Sequence, residues 1–291
     1  QSVNLTFNNL EEMQMKARQH NVSDPRKWEE RLRLMPAIGF YKKECLDIVG
    51  SVDYVFQHDF SDDDISIRIR RSGYKLVFCG DVFVHHAGPS ATDQATGQKA
   101  ELLKTGREIF RQKYYGIDAW EDINNFEMQM LALVNPEDKR GAEKPEILGI
   151  DIKCGTPILQ IKNKLRHTDI FDARLSAFVQ DAKYWLDLKT ICEGQVVVDR
   201  IVYLTEHFSP QSFDYIILGN PINSYPEREK LLTDMLSLLK ADGQLLIKLN
   251  NTFNMQAFLS SMSKGLGTGN QSISVKDINE LNSFFMAGGF S

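Results

Sequence analysis

The chain of 291 residues has a formal net charge of −5, with 42% hydrophobic and 25% charged side chains, the balance of an ordinary soluble protein, and that charge argues against a dedicated nucleic-acid surface. No apolar run approaches the roughly twenty residues that span a bilayer, and no signal peptide is read. Four cysteines, at 45, 79, 154 and 192, lack a paired short spacing and read as reduced thiols of a cytoplasmic protein rather than disulfides or a zinc site.

In chain order, residues 8–20 (NNLEEMQMKARQH) and 25–34 (PRKWEERLRL) read as polar helices. The stretch 60–88 is the most informative. Asp62, Asp63 and Asp64 stand where a helix begins, complementing the positive end of its dipole, with Arg68, Arg70 and Arg71 toward its other end and Gly73 to stop it. Three adjacent carboxylates repel one another, so the cluster exceeds what capping requires and marks a candidate site. Within it Asp63 reads as a bystander in a solvated first turn. Two short strands follow, ending in His85 and His86, with His85 on the opposite face from His86.

Residues 101–120 then have helical spacing, with Leu102, Leu103, Ile109 and Phe110 on a broad apolar face. A polar, Pro- and Gly-bearing connector, NPEDKRGAEKPE, comes next. From Ile147 strands alternate with helices, the signature of a doubly wound sheet. The reading is strand 147–151, turn 152–156, helix 157–165, strand 168–173, helix 176–186, strand 194–199, strand 213–220, helix 228–240, an Ala-Asp-Gly turn and strand 243–250. Trp28, Trp120 and Trp185 are scattered through helix-like patterns and read as core residues rather than sugar platforms.

The first part resembles the C-terminal half of a family 2 glycosyltransferase of the GT-A type. That family's pattern runs Glu-Asp-x-Asp-Leu-x-x-Arg, a Gly-Tyr turn, then a strand ending in His-x-Gly. Ser61 takes the Glu position, Asp62 and Asp64 the two Asp positions, Ile65 the Leu and Arg68 the Arg, followed by Gly73-Tyr74 and His86-Ala87-Gly88; upstream, 38–43 and 49–56 resemble the family's preceding segments. The resemblance implies inverting transfer from a nucleotide-sugar donor to a polysaccharide, protein or lipid acceptor. It makes Asp62 the general base, Asp64 and Arg68 an orienting i, i+4 pair, and His86 a partner of the donor diphosphate or of its Mg or Mn ion. The nucleotide-binding half of such an enzyme does not precede these residues, so the chain reads as a fragment of a longer protein, inactive alone in sugar transfer, cytoplasmic or peripheral to the inner membrane face.

The second part, 147–291, resembles the class I S-adenosylmethionine-dependent methyltransferases, down to Phe213-Asp214-Tyr215-Ile216-Ile217, the run Leu-Leu-Lys-Ala-Asp-Gly-Gln-Leu-Leu-Ile and a late helix closing on Ala-Gly-Gly-Phe. The family's cofactor loop is Glu/Asp-x-Gly-x-Gly-x-Gly, because backbone must pass close to the methionine moiety. Aligning Gly149 with the acidic position puts Asp151, Lys153 and Gly155 on the three glycines, with one glycine kept. By the same resemblance Asp172 and Asp199, each expected at a strand end, would bind ribose hydroxyls and the adenine amine, and Asn220 stands after the fourth strand without an evident base.

The expected fold is therefore α/β: a partial GT-A subdomain (1–125), a linker (126–146) and a Rossmann-like methyltransferase-type domain (147–291). The main expectation is a glycosyltransferase fragment with an appended methyltransferase-like domain. The alternatives are an S-adenosylmethionine-dependent methyltransferase acting on a sugar or other acceptor, and a non-catalytic interaction or scaffold module. The clustering of losses at the cofactor loop favours the scaffold for the second domain.

Overall fold

The computed structural model describes residues 6–34, 38–56, 59–85, 96–139 and 144–249. The first part contributes α1 (Leu10–His20), β1 (Trp28–Arg31), α2 (Lys43–Val49), α3 (Ser61–Arg71), β2 (Leu76–Cys79), α4 (Thr96–Lys113) and α5 (Met128–Leu133). The second contributes β3 (Glu146–Ile150), α6 (Thr156–Arg166), β4 (Arg174–Val179), α7 (Trp185–Lys189), β5 (Val196–Val198), α8 (Leu204–His207), β6 (Phe213–Leu218), α9 (Arg228–Leu238) and β7 (Leu239–Leu246).

The second part is a five-stranded parallel sheet in the order β5-β4-β3-β6-β7. Its inner strands β3, β4 and β6 are buried on both faces, with strict alternation. Ile147, Leu175, Ala177, Val179, Tyr215 and Ile217 face one apolar cluster, whereas Leu148, Ile150, Phe178, Ile216 and Leu218 face the other, as the period of two requires. The first cluster runs on without a break into Leu32, Phe56, Phe60, Ile67 and Phe110 of the first part. The second is closed by Leu204 of α8 and by Leu231, Leu232, Met235 and Leu238 of α9.

The first part is simpler. Among its described residues, β1 and β2 form a two-stranded antiparallel ribbon, with Trp28 opposite Cys79 and Arg31 opposite Leu76, and the rest is helix and connection. A GT-A subdomain is not seen among its described residues. Residues 126–146 carry α5, which packs on α6 and puts Met130 and Val134 into the core.

Several segments differ from expectation. Residues 28–31 form a strand, not a helix, because β2 takes one edge of their backbone and the Asn163 side chain takes the other, accepting from Glu30 N at 3.0 Å and donating to Glu30 O at 2.9 Å. Tertiary partners override the helical propensity of Trp-Glu-Glu-Arg. Residues 174–179 form β4, not a helix, and 168–173 are not a strand. A short run that is apolar on both faces gives no period to separate the two readings. Residues 82–85 form no strand either; the Asn21 side-chain amide accepts there from Phe83 N–H at 2.6 Å. The Ala-Asp-Gly turn is absorbed as an irregularity of β7, between the pairs Phe213–Leu239 and Tyr215–Gln244. The expected helix near the end of the chain lies outside the described residues.

The two parts are joined by a buried ion cluster. Asp187 of α7 accepts from Arg70 Nη2 at 2.7 Å and from Arg71 Nη2 at 2.6 Å. Arg70 also donates to Leu32 O at 2.9 Å and to Thr190 Oγ1 at 3.1 Å. Arg70 is 2% exposed and Asp187 0%, so neither charge has water to fall back on.

Candidate cofactor site

The acidic start of α3 is an internal network. Asp64 is buried; one of its oxygens accepts from Arg68 Nε at 2.9 Å, and the other from Lys113 Nζ and from Tyr114 OH at 2.6 Å. The i, i+4 pair of Asp64 and Arg68 is thus present, and Arg68 also holds the Val49 and Ser51 carbonyls. Asp63 is not in a solvated turn: it is 2% exposed, with Arg33 Nε 2.7 Å away but off the hydrogen-bond axis. Asp62 is half-buried, and burial raises its carboxyl above the usual range, against the pull of Arg33. His86 lies outside the described residues.

Burial pushes the Asp63 carboxyl up to about 6, with Arg33 opposing and Asp62 and Asp59 reinforcing. The folded chain therefore holds this proton more tightly than the unfolded one, and stability falls as pH rises from about 4 to about 6, by about 3 kcal/mol. Urea denaturation of the wild type and Asp63→Asn across that window should show the variant gaining on the wild type by this amount; parallel profiles would refute the assignment.

The sheet offers a second place for chemistry. Its order changes direction between β3 and β6, and in open α/β sheets ligands bind in the crevice beyond the carboxyl ends of the strands at such a point. Each of the three strands on one side delivers an aspartate there: Asp151 directly after β3, Asp181 two residues after β4 and Asp199 directly after β5. Asp172 is not among them. It precedes β4 and stands at the opposite edge of the sheet, so the acidic residue beyond the second strand is Asp181.

The loop from β3 to α6 has an unusual backbone. Asp151, Lys153 and Gly155 have φ of 50°, 57° and 105°, the left-handed region that glycine favours. Three alternate residues therefore turn as a glycine-rich loop would, although only one is glycine. Gly149 is a strand residue whose Cβ would overlap the Ile152 side chain and stand 2.8 Å from Ile158 Cγ2, so it does not hold the acidic position. Moving the alignment by two makes Asp151 the acidic residue at the strand end, with Lys153, Gly155 and Pro157 at the three glycine positions. Gly155 serves packing, since a Cβ there would overlap Ile191 and stand 3.0 Å from Leu188 Cδ2.

Polar contacts lock the crevice edges. The Asp151 carboxylate accepts from Gln180 N at 3.0 Å, Gln180 Nε2 at 2.8 Å and Tyr225 OH at 2.7 Å. Burial and the neighbouring Asp151 charge raise the Tyr225 hydroxyl well above its usual range, so it stays a neutral donor. Gly219, following β6, comes so close to Asp151 that a Cβ would lie 2.8 Å from its carbonyl carbon. Asn220 comes next, its amide 3.5 Å from Tyr225 OH. Asp199 pairs with His207 Nε2 at 2.8 Å, which holds its carboxyl below the usual range. Asp181 caps Lys183 N at 3.0 Å and remains 55% exposed, with Lys183 Nζ 3.8 Å away.

The turn 119–123 lies against the loop. Its Asp122 carbonyl accepts from Cys154 N at 3.4 Å, the Ile123 carbonyl accepts from Thr156 Oγ1, and Glu121 O accepts from Lys153 Nζ at 2.7 Å. The buried Asp122 carboxylate accepts from Tyr184 OH at 3.1 Å, with Lys153 Nζ 3.3 Å away. Sequence reasoning missed Asp122, Asp181 and Tyr225. A signal for Asp181 was present: Ile-Leu-Gly-Ile-Asp, Ala-Phe-Val-Gln-Asp and Val-Val-Val-Asp are three apolar runs ending in aspartate.

No protein-family model matches the chain, and no curated protein matches it. Similar solved structures are S-adenosylmethionine-dependent methyltransferases. One, from Archaeoglobus fulgidus, is described as a SAM dependent methyltransferase, with 16% identity, 63% of this chain and 74% of that one covered, and a TM-score of 0.36. Another is the Haemonchus contortus phosphoethanolamine N-methyltransferase 2 in complex with phosphomonomethylethanolamine and S-adenosylhomocysteine, at 18% identity, 65% and 42% coverage and a TM-score of 0.37. A third is an arsenic(III) S-adenosylmethionine methyltransferase from Chlamydomonas reinhardtii, at 15% identity, 40% and 46% coverage and a TM-score of 0.32. The chain spans less than half the length of the last two.

The glycosyltransferase expectation is corrected by these findings. The similar structures are methyltransferases, and Asp63 and Asp64 are engaged in internal ion pairs. The donor-bound metal ion expected with sugar transfer goes with that reading. Among the described residues, no group of three or more His, Cys, Asp or Glu is placed to hold a metal ion, and no helix is long and apolar enough to cross a membrane.

Proposed function

We propose that the carboxyl edge of the parallel sheet binds an S-adenosyl cofactor and that the chain is an S-adenosylmethionine-dependent methyltransferase. One observation carries the reading: a left-handed loop at Asp151, Lys153 and Gly155 leads from β3 into α6, at the direction change of a parallel sheet ordered β5-β4-β3-β6-β7. The residues present fit such a group. Its sulfonium and ammonium are cations, and the crevice edge carries Asp151, Asp181 and Asp199. Asp181 has acceptor capacity left for ribose hydroxyls, and Asp199, oriented by His207, stands at the neighbouring strand end.

The cofactor supplies an activated methyl group. The chain's own part is to bind and orient: Asp151, fixed by Gln180 and Tyr225, ties three strand ends into a rigid edge, and Tyr225 keeps its proton. Asp122, from the turn over the loop, adds a carboxylate beside Lys153.

One observation favours the non-catalytic alternative. Asp151 takes three protein donors, and Lys153, at a glycine position, is anchored on Glu121 O and Asp122. A thermal-shift experiment separates the two. At ten times its dissociation constant, S-adenosylhomocysteine should add about 1.4 kcal/mol, raising the melting temperature by about 3–5 °C. Asp181→Asn should cut most of that shift. An unchanged wild-type melting temperature at millimolar ligand would favour the scaffold.

A further inference from the structure

A cleft of about 440 Å³ opens on the opposite edge of the sheet, between the β1–β2 ribbon, the end of α6 and the amino ends of β3 and β4. That volume lies in the range of small-molecule sites, about 300–1,000 Å³. Two aromatic side chains line it: Trp28 of β1, fixed by its indole N–H donating to Asp81 Oδ2 at 2.8 Å, and Phe171 of the α6–β4 connection. The Arg166 guanidinium lies 5.2 Å from the Phe171 ring centre.

The charges are uneven. Lys162, 6% exposed, and Lys75 share Glu30 and Glu193, with closest approaches of 2.6 Å for Lys162 to Glu193 and 2.9 Å for Lys75 to Glu30, so that wall is neutral by itself. Lys144 and Arg166 have no carboxylate partner among the described residues, and one carboxylate, Asp172, stands with them. A local excess of cations in a chain of net charge −5 draws anions to this spot.

We propose that this cleft binds a nucleoside monophosphate. Arg166 and Lys144 are the phosphate partners, by charge-assisted hydrogen bonds. Trp28 and Phe171 offer faces to a planar base. Asp172 offers acceptors to the ribose hydroxyls. The site shares no residue with the cofactor crevice and does not depend on that reading.

Isothermal titration with adenosine 5′-monophosphate tests it. The nucleotide should bind with a dissociation constant below about 1 mM. Adenosine alone and ribose 5-phosphate alone should each bind at least about tenfold more weakly, since each lacks half of the recognised groups. Arg166→Gln and, independently, the exposed Lys144→Gln should each weaken binding by about tenfold, whereas Lys230→Gln, on the exposed side of α9, should leave it unchanged. Absence of heat at about 10 mM nucleotide, affinity unmoved in both cleft variants, or an equal loss of affinity in Lys230→Gln would each overturn the proposal.

Discussion

Asp187→Ala is expected to lower the unfolding free energy by about 3–5 kcal/mol, the cost of leaving a buried charge without its partner. Asp187 is fully buried and receives both Arg70 and Arg71. Arg71 keeps partial access to solvent and can turn outward, but Arg70, at 2% exposure, would retain only Leu32 O and Thr190 Oγ1. The lesion would fall where α3 of the first part meets α7 of the sheet domain. Removing both charges, in Arg70→Met with Asp187→Leu, should recover a good part of the loss, because the penalty belongs to the orphaned cation. Urea denaturation of the wild type and the two variants measures this. A loss under about 1 kcal/mol in Asp187→Ala would mean that water reaches Arg70 and that the cluster does not hold the two parts together.

Gly219→Ala should be the most damaging single methyl group at the crevice. The added Cβ would overlap the Asp151 main chain, not the movable end of a side chain. Neither neighbour is free to withdraw: Gly219 N donates to Ile150 O at 2.8 Å and Asp151 N to Phe178 O at 2.9 Å. Overpacking of this kind costs about 1–3 kcal/mol. It should also force apart the loops after β3 and β6, taking Tyr225 OH from the Asp151 carboxylate. Affinity for S-adenosylhomocysteine should then fall by at least about tenfold, roughly 1.4 kcal/mol. A variant with wild-type stability and affinity would show that these loops separate easily.

Much of the sheet domain was legible in the sequence. The runs at Ile147, Val196 and Phe213 are β-branched, continuous and flanked by turn residues, and they became β3, β5 and β6. Residues 174–179 were not legible, because Leu-Ser-Ala-Phe-Val is short, apolar on both faces and followed by helix formers. That one misplacement moved Asp172 into the crevice and hid Asp181. β1 was illegible for another reason: its charged residues acquire a strand only from β2 and the Asn163 amide, neither near in sequence. The acidic start of α3 was found correctly as a helix, but its function was misjudged. Arg33, Lys113 and Tyr114, which neutralise or bind Asp63 and Asp64, lie up to 50 residues away, so the cluster looked exposed when read locally. In the β3–α6 loop the spacing of special residues was visible and its meaning was not, because Asp151 and Lys153 hold glycine-like backbone angles that side-chain identity conceals.

Hydrogen exchange of backbone amides, with and without S-adenosylhomocysteine, tests the central claim most directly, since it reports both whether the ligand binds and where. The cofactor reading predicts slower exchange at 152–156, 180–183 and 199–201, with no change along 166–174 at the opposite edge of the sheet. Unchanged exchange at all three strand ends under saturating ligand, or protection confined to 166–174, would contradict it.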